Sequence, residues 1–335
     1  MIFSTVVVGG LTRLTQSGLS MVQWKPIHGI VPPLNEQEWG EEFSLYQQSP
    51  EYKKKNQGMS LDEFKYIFYW EYIHRVLGRL IGLVFFLPLV FFQLKGWLKN
   101  ISLKVYGLPS RLSWKLWIGF MLGGSQGLLG WYMVKSGLID NPHVSHYRLA
   151  AHLGLAFFIE AYLLWILFDL MSEVKNTTMK MKRSIQVLAQ ALLLVVGIQI
   201  LYGAFTAGLH AGHNYNTFPK MKGDWIPEGL LAQIPIWTNF FESHLTVQFI
   251  HRSIAWLLMV LVFTLFFYSK KCSLSEKSKR AIWVVSGLFG VQFTLGILTL
   301  IHYVPVPLAS LHQIGAFFLF TSVLYLNHSL VKNNG

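Results

Sequence analysis

Cysteine and charged residues are scarce in this sequence, and each scarcity excludes a class of protein. Cys272 is the only cysteine among 335 residues, so the chain cannot form an internal disulfide. Only 13% of the residues are charged, whereas 53% are hydrophobic and 15% are aromatic. This balance is too apolar for an ordinary soluble domain and favours a protein with several membrane spans.

Long apolar runs are correspondingly abundant. A helix of about 20 apolar residues crosses the roughly 30 Å of hydrocarbon in a bilayer. Seven such runs lie near residues 74–94, 114–134, 146–171, 184–207, 245–268, 280–301 and 306–328. The opening residues 1–14 predict one further, shorter helix, so that eight helices are expected in total.

The net charge of +12 could indicate a nucleic-acid partner, but the placement of the charges argues against one. Lysine and arginine concentrate in the connections 95–115, 172–183 and 270–280, which alternate with connections that hold most of the acids. Cytoplasmic connections of membrane proteins carry this excess of basic residues. We therefore expect membrane lipid around the chain and both termini on the inner side. No signal or transit peptide is recognisable, which favours a bacterial plasma membrane, with the mitochondrial inner membrane as the alternative.

The second half of the chain repeats motifs of the first half. Phe249–Arg252 repeats Tyr72–Arg75, and His312–Phe318 repeats His152–Phe158. Two repeats with an even number of spans share one orientation and are related by an axis along the membrane normal. The predicted fold is therefore an all-α membrane protein of eight transmembrane helices. They form two tandem four-helix bundles, residues 1–172 and 183–335, related by a pseudo-twofold axis.

Four histidines stand out because the repeat pairs them: His74 with His251, and His152 with His312. Each is expected within about two turns of the start of an even-numbered helix that enters from the outer side. Each bundle would then offer two imidazoles, and two imidazoles can ligate a haem iron from opposite faces. The alternatives are hydrogen-bonding core histidines, or zinc, which is disfavoured because no further ligand repeats alongside. The other eight histidines, including His328, are expected in solvated or loop positions.

The two halves differ at one position that matters for chemistry. Glu71 stands three residues before His74, whereas Gln248 stands three residues before His251, so only the first bundle places a carboxylate beside its histidine. One interpretation is a catalytic group that accepts a proton or stabilises positive charge. The other is a structural ion pair between Glu71 and Arg75, and spacing alone does not choose between them.

Three arginines near these histidines are candidates for binding haem propionates, because arginine holds carboxylates in a bidentate fork. Arg75 and Arg252 directly follow a histidine, and Arg79 lies one turn beyond Arg75. Snorkelling to the lipid headgroups is the alternative. Glu160, in the middle of its predicted span, could serve a relay or a structural pair.

These residues resemble the haem A synthase family along nearly the whole chain. The matching blocks follow the family's order: "VVVGGLTRLTQSGLSMVQWKPIHGIVPPLNEQEW", "EYIHRVLGRLIG", "AGLHAGHNYNTFPKMKG", "QFIHRS" and "SLHQIGA". The resemblance implies a haem-dependent oxidoreductase that oxidises the C8 methyl of haem O to a formyl group, giving haem A for cytochrome c oxidase. A haem O synthase and a ferredoxin-type electron donor are the further partners we consider.

The resemblance also implies roles for the candidate residues. His74 and His152 would bracket the substrate haem O, with Glu71 near the reacting methyl, and His251 and His312 would hold a resident haem b. The chain lacks the cysteine pair that some bacterial members carry in the first outer connection. Two other functions remain open: a dihaem b-type electron-transfer protein such as a quinol oxidoreductase, and a non-enzymatic haem carrier or assembly factor.

Overall fold

The computed structural model describes residues 1–23, 28–99, 101–105, 108–138, 144–172 and 183–331. Within these residues the regular secondary structure is helical, as predicted, apart from one short antiparallel strand pair in which Ser102 lies opposite Arg111. The strands are β1 (Ser102–Val105) and β2 (Leu108–Arg111). The α-helices are α1 (Ile2–Leu14), α2 (Glu36–Gln47), α3 (Pro50–Lys54), α4 (Leu61–Leu94), α5 (Leu112–Gly137), α6 (His146–Met171), α7 (Arg183–Gly208), α8 (Asn239–Glu242), α9 (His244–Ser269), α10 (Glu276–Ile301) and α11 (Val306–Val331).

Six of these helices are long and apolar enough to cross a membrane, namely α4, α6, α7, α9, α10 and α11. The chain is therefore a multi-pass membrane protein. The predicted apolar runs agree with the bounds of α6, α7 and α9 to within one residue at each end. The total of eight spans stays a prediction, because α1 has 13 residues and α5 is not among the six. The predicted basic connection 172–183 lies largely outside the described residues.

Helix α4 begins well before its predicted start near residue 74. It starts at Leu61, where Ser60 and Glu63 form a capping box that satisfies the first backbone N–H groups. Its 34 residues extend over about 51 Å, more than the thickness of the hydrocarbon. The prediction that His74 lies within the first two turns of its helix was therefore wrong. The helix extends beyond the N-terminal end of the apolar run.

An aromatic cluster fixes the N-terminal part of α4, which precedes the apolar run. Trp39 and Tyr46 of α2 are buried against Phe64 and Phe68 of α4. The rings of Trp39 and Phe68 meet edge to face at 5.1 Å between centroids, and those of Tyr46 and Phe64 stack at 5.1 Å. Burial of such large side chains supplies the stability that the polar residues of this segment do not.

Residue contacts divide the chain into two compact units, Met1–Arg148 and Leu149–Gly335. In the first unit, α1 and α5 both pack against α4. In the second unit, α7 packs against α9 and α11, and α10 packs against α9 and α11. The proposed division into bundles 1–172 and 183–335 stays a prediction.

Candidate functional site

In the first unit, His74 of α4 lies directly against Gly9 of α1. A Cβ atom added at Gly9 would stand 2.6 Å from His74 Cε1 and 3.1 Å from Nδ1. The absence of a side chain at Gly9 is what leaves room for the imidazole at this crossing. His74 Nδ1 is buried and has no hydrogen-bond partner among the described residues.

The second unit repeats this arrangement twice. A Cβ at Gly203 of α7 would stand 3.3 Å from Cε1 of His251, and one at Gly296 of α10 would stand 2.9 Å from Cε1 of His312. His251 lies on α9 and His312 on α11, and α10 packs against both helices. The structure thus places the two histidines in one unit, and their sharing of a haem stays a prediction.

The sequence G-x-Q-x-x-x-G occurs three times, beginning at Gly124, Gly197 and Gly290, and the last two copies end on the glycines that face His251 and His312. In the copy that begins at Gly197, the glutamine approaches the same imidazole as the last glycine, since Gln199 Nε2 lies 3.5 Å from His251 Nε2. Its first glycine differs, because a Cβ at Gly197 or Gly290 would meet no atom within 4 Å. Sequence analysis did not predict this contact, although the fixed four-residue spacing from glutamine to glycine was visible.

The donor set in the second unit fits an iron porphyrin. The Nδ1 atoms of His251 and His312 are buried and have no hydrogen-bond partner among the described residues. A buried polar atom without a partner costs about 1–3 kcal/mol, which points to a ligand that the chain itself does not supply. Within the described ranges, no group of three or more His, Cys, Asp or Glu side chains could hold a metal ion, so a zinc-type cluster is not found there.

His152 lies in α6 and belongs to the second unit, whereas His74 belongs to the first. Their pairing around one haem therefore stays a prediction.

Glu71 is buried and its carboxylate is held by three donors. Ser20 Oγ and the Met21 backbone N–H each donate to Oε2 at 2.8 Å. Arg75 Nη2 donates to Oε1, which is the ion pair that sequence analysis left as one of two interpretations. Gln248, the residue that stands in its place in the second half, reverses the polarity, because its Nε2 donates to the Tyr215 carbonyl at 3.5 Å.

All three predicted propionate-binding arginines hold backbone carbonyls of outer connections. Arg75 donates to Met21 O at 3.0 Å, and Arg79 donates to Gly29 O at 3.0 Å. Arg252 donates to the Thr217, Pro219 and Lys220 carbonyls at 2.8, 2.9 and 3.3 Å. The repeated His-Arg pair thus ties an outer connection to each histidine-bearing helix, and haem binding by these arginines stays a prediction.

Two polar pairs connect α6 and α11 inside the second unit. Thr321 Oγ1 donates to Glu160 Oε1 at 2.5 Å, so Glu160 does take part in a structural pair. Farther along the same helices, His328 Nε2 lies 3.0 Å from Asp169 Oδ1 and both side chains are 4% exposed. The expectation that His328 is solvated or in a loop was wrong, because α11 continues to Val331 and buries it.

One further carboxylate is buried in the outer connection of the first unit. Glu51 of α3 is 4% exposed and accepts a hydrogen bond from Tyr46 Oη at 3.3 Å. Burial, and then the charge of Glu71, raise the pKa of Glu51 to about 7. Glu51 was not singled out from the sequence, because nothing in its spacing distinguishes it from its exposed acidic neighbours.

Fold and site together define a class: a multi-pass helical membrane protein in which several helix-borne histidines have buried Nδ1 atoms. The chain belongs to the COX15-CtaA family of cytochrome oxidase assembly proteins, whose model matches residues 1–324.

Named relatives match over nearly the full length. A protein of Nitrosospira multiformis named "Heme A synthase" is 48% identical, covering 98% of this chain and 90% of the relative. One of Parvibaculum lavamentivorans with the same name is 47% identical over 99% and 92% of the two chains. "Heme A synthase COX15" of Arabidopsis thaliana is 43% identical over 98% and 72%.

Proposed function

We propose that this chain oxidises the C8 methyl of haem O to a formyl group and so produces haem A for cytochrome c oxidase. The observation that carries the proposal is the full-length match to relatives named heme A synthase at 43–48% identity. The histidines with buried Nδ1 atoms support it, because oxidation of an unactivated methyl requires redox chemistry that side chains alone do not provide.

His251 and His312 are proposed to hold a resident haem b. The Nδ1 atom of each is buried without a hydrogen-bond partner among the described residues, and each ring lies against a glycine of a neighbouring helix. Haem b bound there would supply one-electron transfer. The chain's contribution is to fix the two rings: Gly203 and Gly296 admit the imidazoles, and Gln199 contacts one of them.

His74 and His152 are proposed as the ligands of the substrate haem O, with Glu71 as the catalytic carboxylate. Because both oxygens of Glu71 already accept hydrogen bonds, we assign it a fixed negative charge near the reacting methyl rather than the role of a free proton acceptor. The donors Ser20 and Arg75 would hold that charge in one position.

Arg75 and Arg79 are proposed to bind propionates of the substrate, because arginine pairs well with carboxylates. Arg252 is not proposed to bind a propionate, because it lines a cleft on a different face of α9 from His251. The two bacterial relatives favour a bacterial plasma membrane over a mitochondrial inner membrane. A haem O synthase that delivers the substrate and a ferredoxin-type donor complete the proposed partners.

Haem analysis tests the proposal. The chain is co-expressed with a haem O synthase, and extracted haems are separated and identified by mass; haem A should appear only when the chain is present. Glu71→Gln should retain bound haem while haem A falls at least tenfold, whereas Glu41→Gln, at an exposed position of α2, should match the wild type. An unchanged haem A yield in Glu71→Gln would reject the role of that carboxylate, and no haem A from the wild type would reject the function.

A further inference from the structure

A cleft of about 390 Å³ opens at the outer end of α9, beneath the connection that follows α7. Its walls are mostly aromatic and apolar, with one charged group. The lining residues are Pro219, Met221, Trp225, Phe249, Arg252, Ser253 and Trp256.

The cleft lies on the opposite side of α9 from the candidate haem ligand. Phe249, Arg252, Ser253 and Trp256 follow helical spacing and share one face. At 100° per residue, His251 points about 150° away from the middle of that face. A haem held by His251 and His312 therefore approaches α9 from the other side.

Arg252 brings an incompletely satisfied positive charge to the cleft. Its Nη2 is fixed by the Thr217 and Pro219 carbonyls, and its guanidinium lies 5.8 Å from the ring of Phe218. Its Nη1 is buried and has no hydrogen-bond partner among the described residues. Arg252 is nevertheless the one charged residue that lines the cleft, and a guanidinium there pairs well with an anionic acceptor such as phosphate.

An exposed apolar stripe runs inward from the cleft along the same face of α9. Trp256, Val260, Phe263 and Phe267 recur at intervals of four, three and four residues and are 38%, 61%, 54% and 57% exposed. In a membrane-spanning helix such a stripe faces lipid chains. The ligand that fits both features has an anionic head and a long apolar tail, and the exposed Trp225 stands beside the head, where tryptophan is enriched at membrane interfaces.

We propose that this cleft binds the phosphate headgroup of an anionic phospholipid from the outer leaflet, with an acyl chain along the α9 stripe. A quinol is a poorer fit, because the lining residues include no carboxylate or imidazole that could take its protons. A haem propionate would have to reach Arg252 around the helix from the opposite face.

Lipid binding to the full-length, haem-loaded protein tests the proposal. Native mass spectrometry counts phosphatidylglycerol molecules bound to the purified protein during a titration. The variant Ser253→Trp places a large side chain in the cleft while leaving Arg252 in the sequence, and Ser253→Ala is the matched control. We expect one tightly bound phosphatidylglycerol in the wild type and in Ser253→Ala, at least tenfold weaker binding in Ser253→Trp, and equal haem content in all three.

Two outcomes would overturn the proposal. One is unchanged phosphatidylglycerol binding in Ser253→Trp; the other is loss of haem with lipid binding intact, which would assign the cleft to a haem. If Ser253→Trp does not fold, Arg252→Gln is titrated in its place and should show the same weakening. Competition by millimolar inorganic phosphate alone would indicate a free-phosphate site and would also contradict the lipid.

Discussion

Alanine substitutions at the three glycines that face imidazoles should have graded effects on haem binding. A new Cβ would stand 2.6 Å from His74 Cε1 in Gly9→Ala, 2.9 Å from His312 Cε1 in Gly296→Ala and 3.3 Å from His251 Cε1 in Gly203→Ala. The expected order of damage follows these distances. The same motif supplies controls, since Gly197→Ala and Gly290→Ala add a methyl where no atom lies within 4 Å.

The size of each effect follows from the overlap. Carbon atoms in contact prefer about 3.5–4.0 Å, so the three distances fall short by about 0.9, 0.6 and 0.2 Å. An imidazole that ligates a metal cannot yield this distance freely, because its ring must stay aligned with the iron. Overpacking of this kind costs about 1–3 kcal/mol, and about 1.4 kcal/mol is a factor of ten in affinity. We expect at least a tenfold loss of haem affinity in Gly296→Ala and less than about threefold in Gly203→Ala.

The assay is the haem b content of purified protein by pyridine haemochrome, with the circular dichroism of the helices as the check on folding. Gly296→Ala should lose haem b, while Gly290→Ala, six residues earlier on the same helix, should not. Gly9→Ala should leave haem b in place and reduce only the binding of haem O. Equal haem loss in Gly290→Ala and Gly296→Ala, or full retention in both, would refute the link between this glycine and His312.

The remaining predictions concern three polar contacts. Ser20→Ala removes one donor to Glu71 and should lower haem A formation several-fold with haem content unchanged; Ser20→Thr, which keeps the hydroxyl, should restore it. Asp169→Ala removes the buried hydrogen bond to His328 and should destabilise the protein by about 1–3 kcal/mol in thermal unfolding. When Asp169 and His328 are both replaced by alanine, the loss of stability should be smaller than the sum of the two single losses. The folded protein keeps Glu51 protonated up to about pH 7, so the contribution of Glu51 to the free energy of unfolding falls as pH rises from about 4.5 to 7. Proteolysis of the connection that contains Glu51 should therefore increase over that pH interval. Glu51→Gln should remove this pH dependence.

Helix positions could be predicted from the sequence where an apolar run has the length that a membrane span requires. This explains the close agreement for α6, α7 and α9. It also explains the error at α4, where four charged residues interrupt the apolar run before residue 74: Asp62, Glu63, Lys65 and Glu71. The helix continues through them because Phe64 and Phe68 pack against α2, and the Ser60–Glu63 capping box was a signal of the true start.

Contacts between distant segments could not be predicted from local sequence patterns. No periodicity, for example, places Ser20 beside Glu71, 51 residues away. Asp169 and His328 are also far apart in the sequence, yet the repeat predicts that they lie at the same level. The repeat aligns His152 with His312 and Phe157 with Phe317, an offset of 160 residues, and the rings of Phe157 and Phe317 meet at 5.9 Å. Equivalent residues of two repeats can touch only near the axis that relates them. If α6 and α11 lie side by side at such an axis, in parallel and in register, the same offset brings Asp169 level with Ser329, one residue from His328. The buried pair could therefore have been predicted from the repeat, had the equivalent helices been placed against each other.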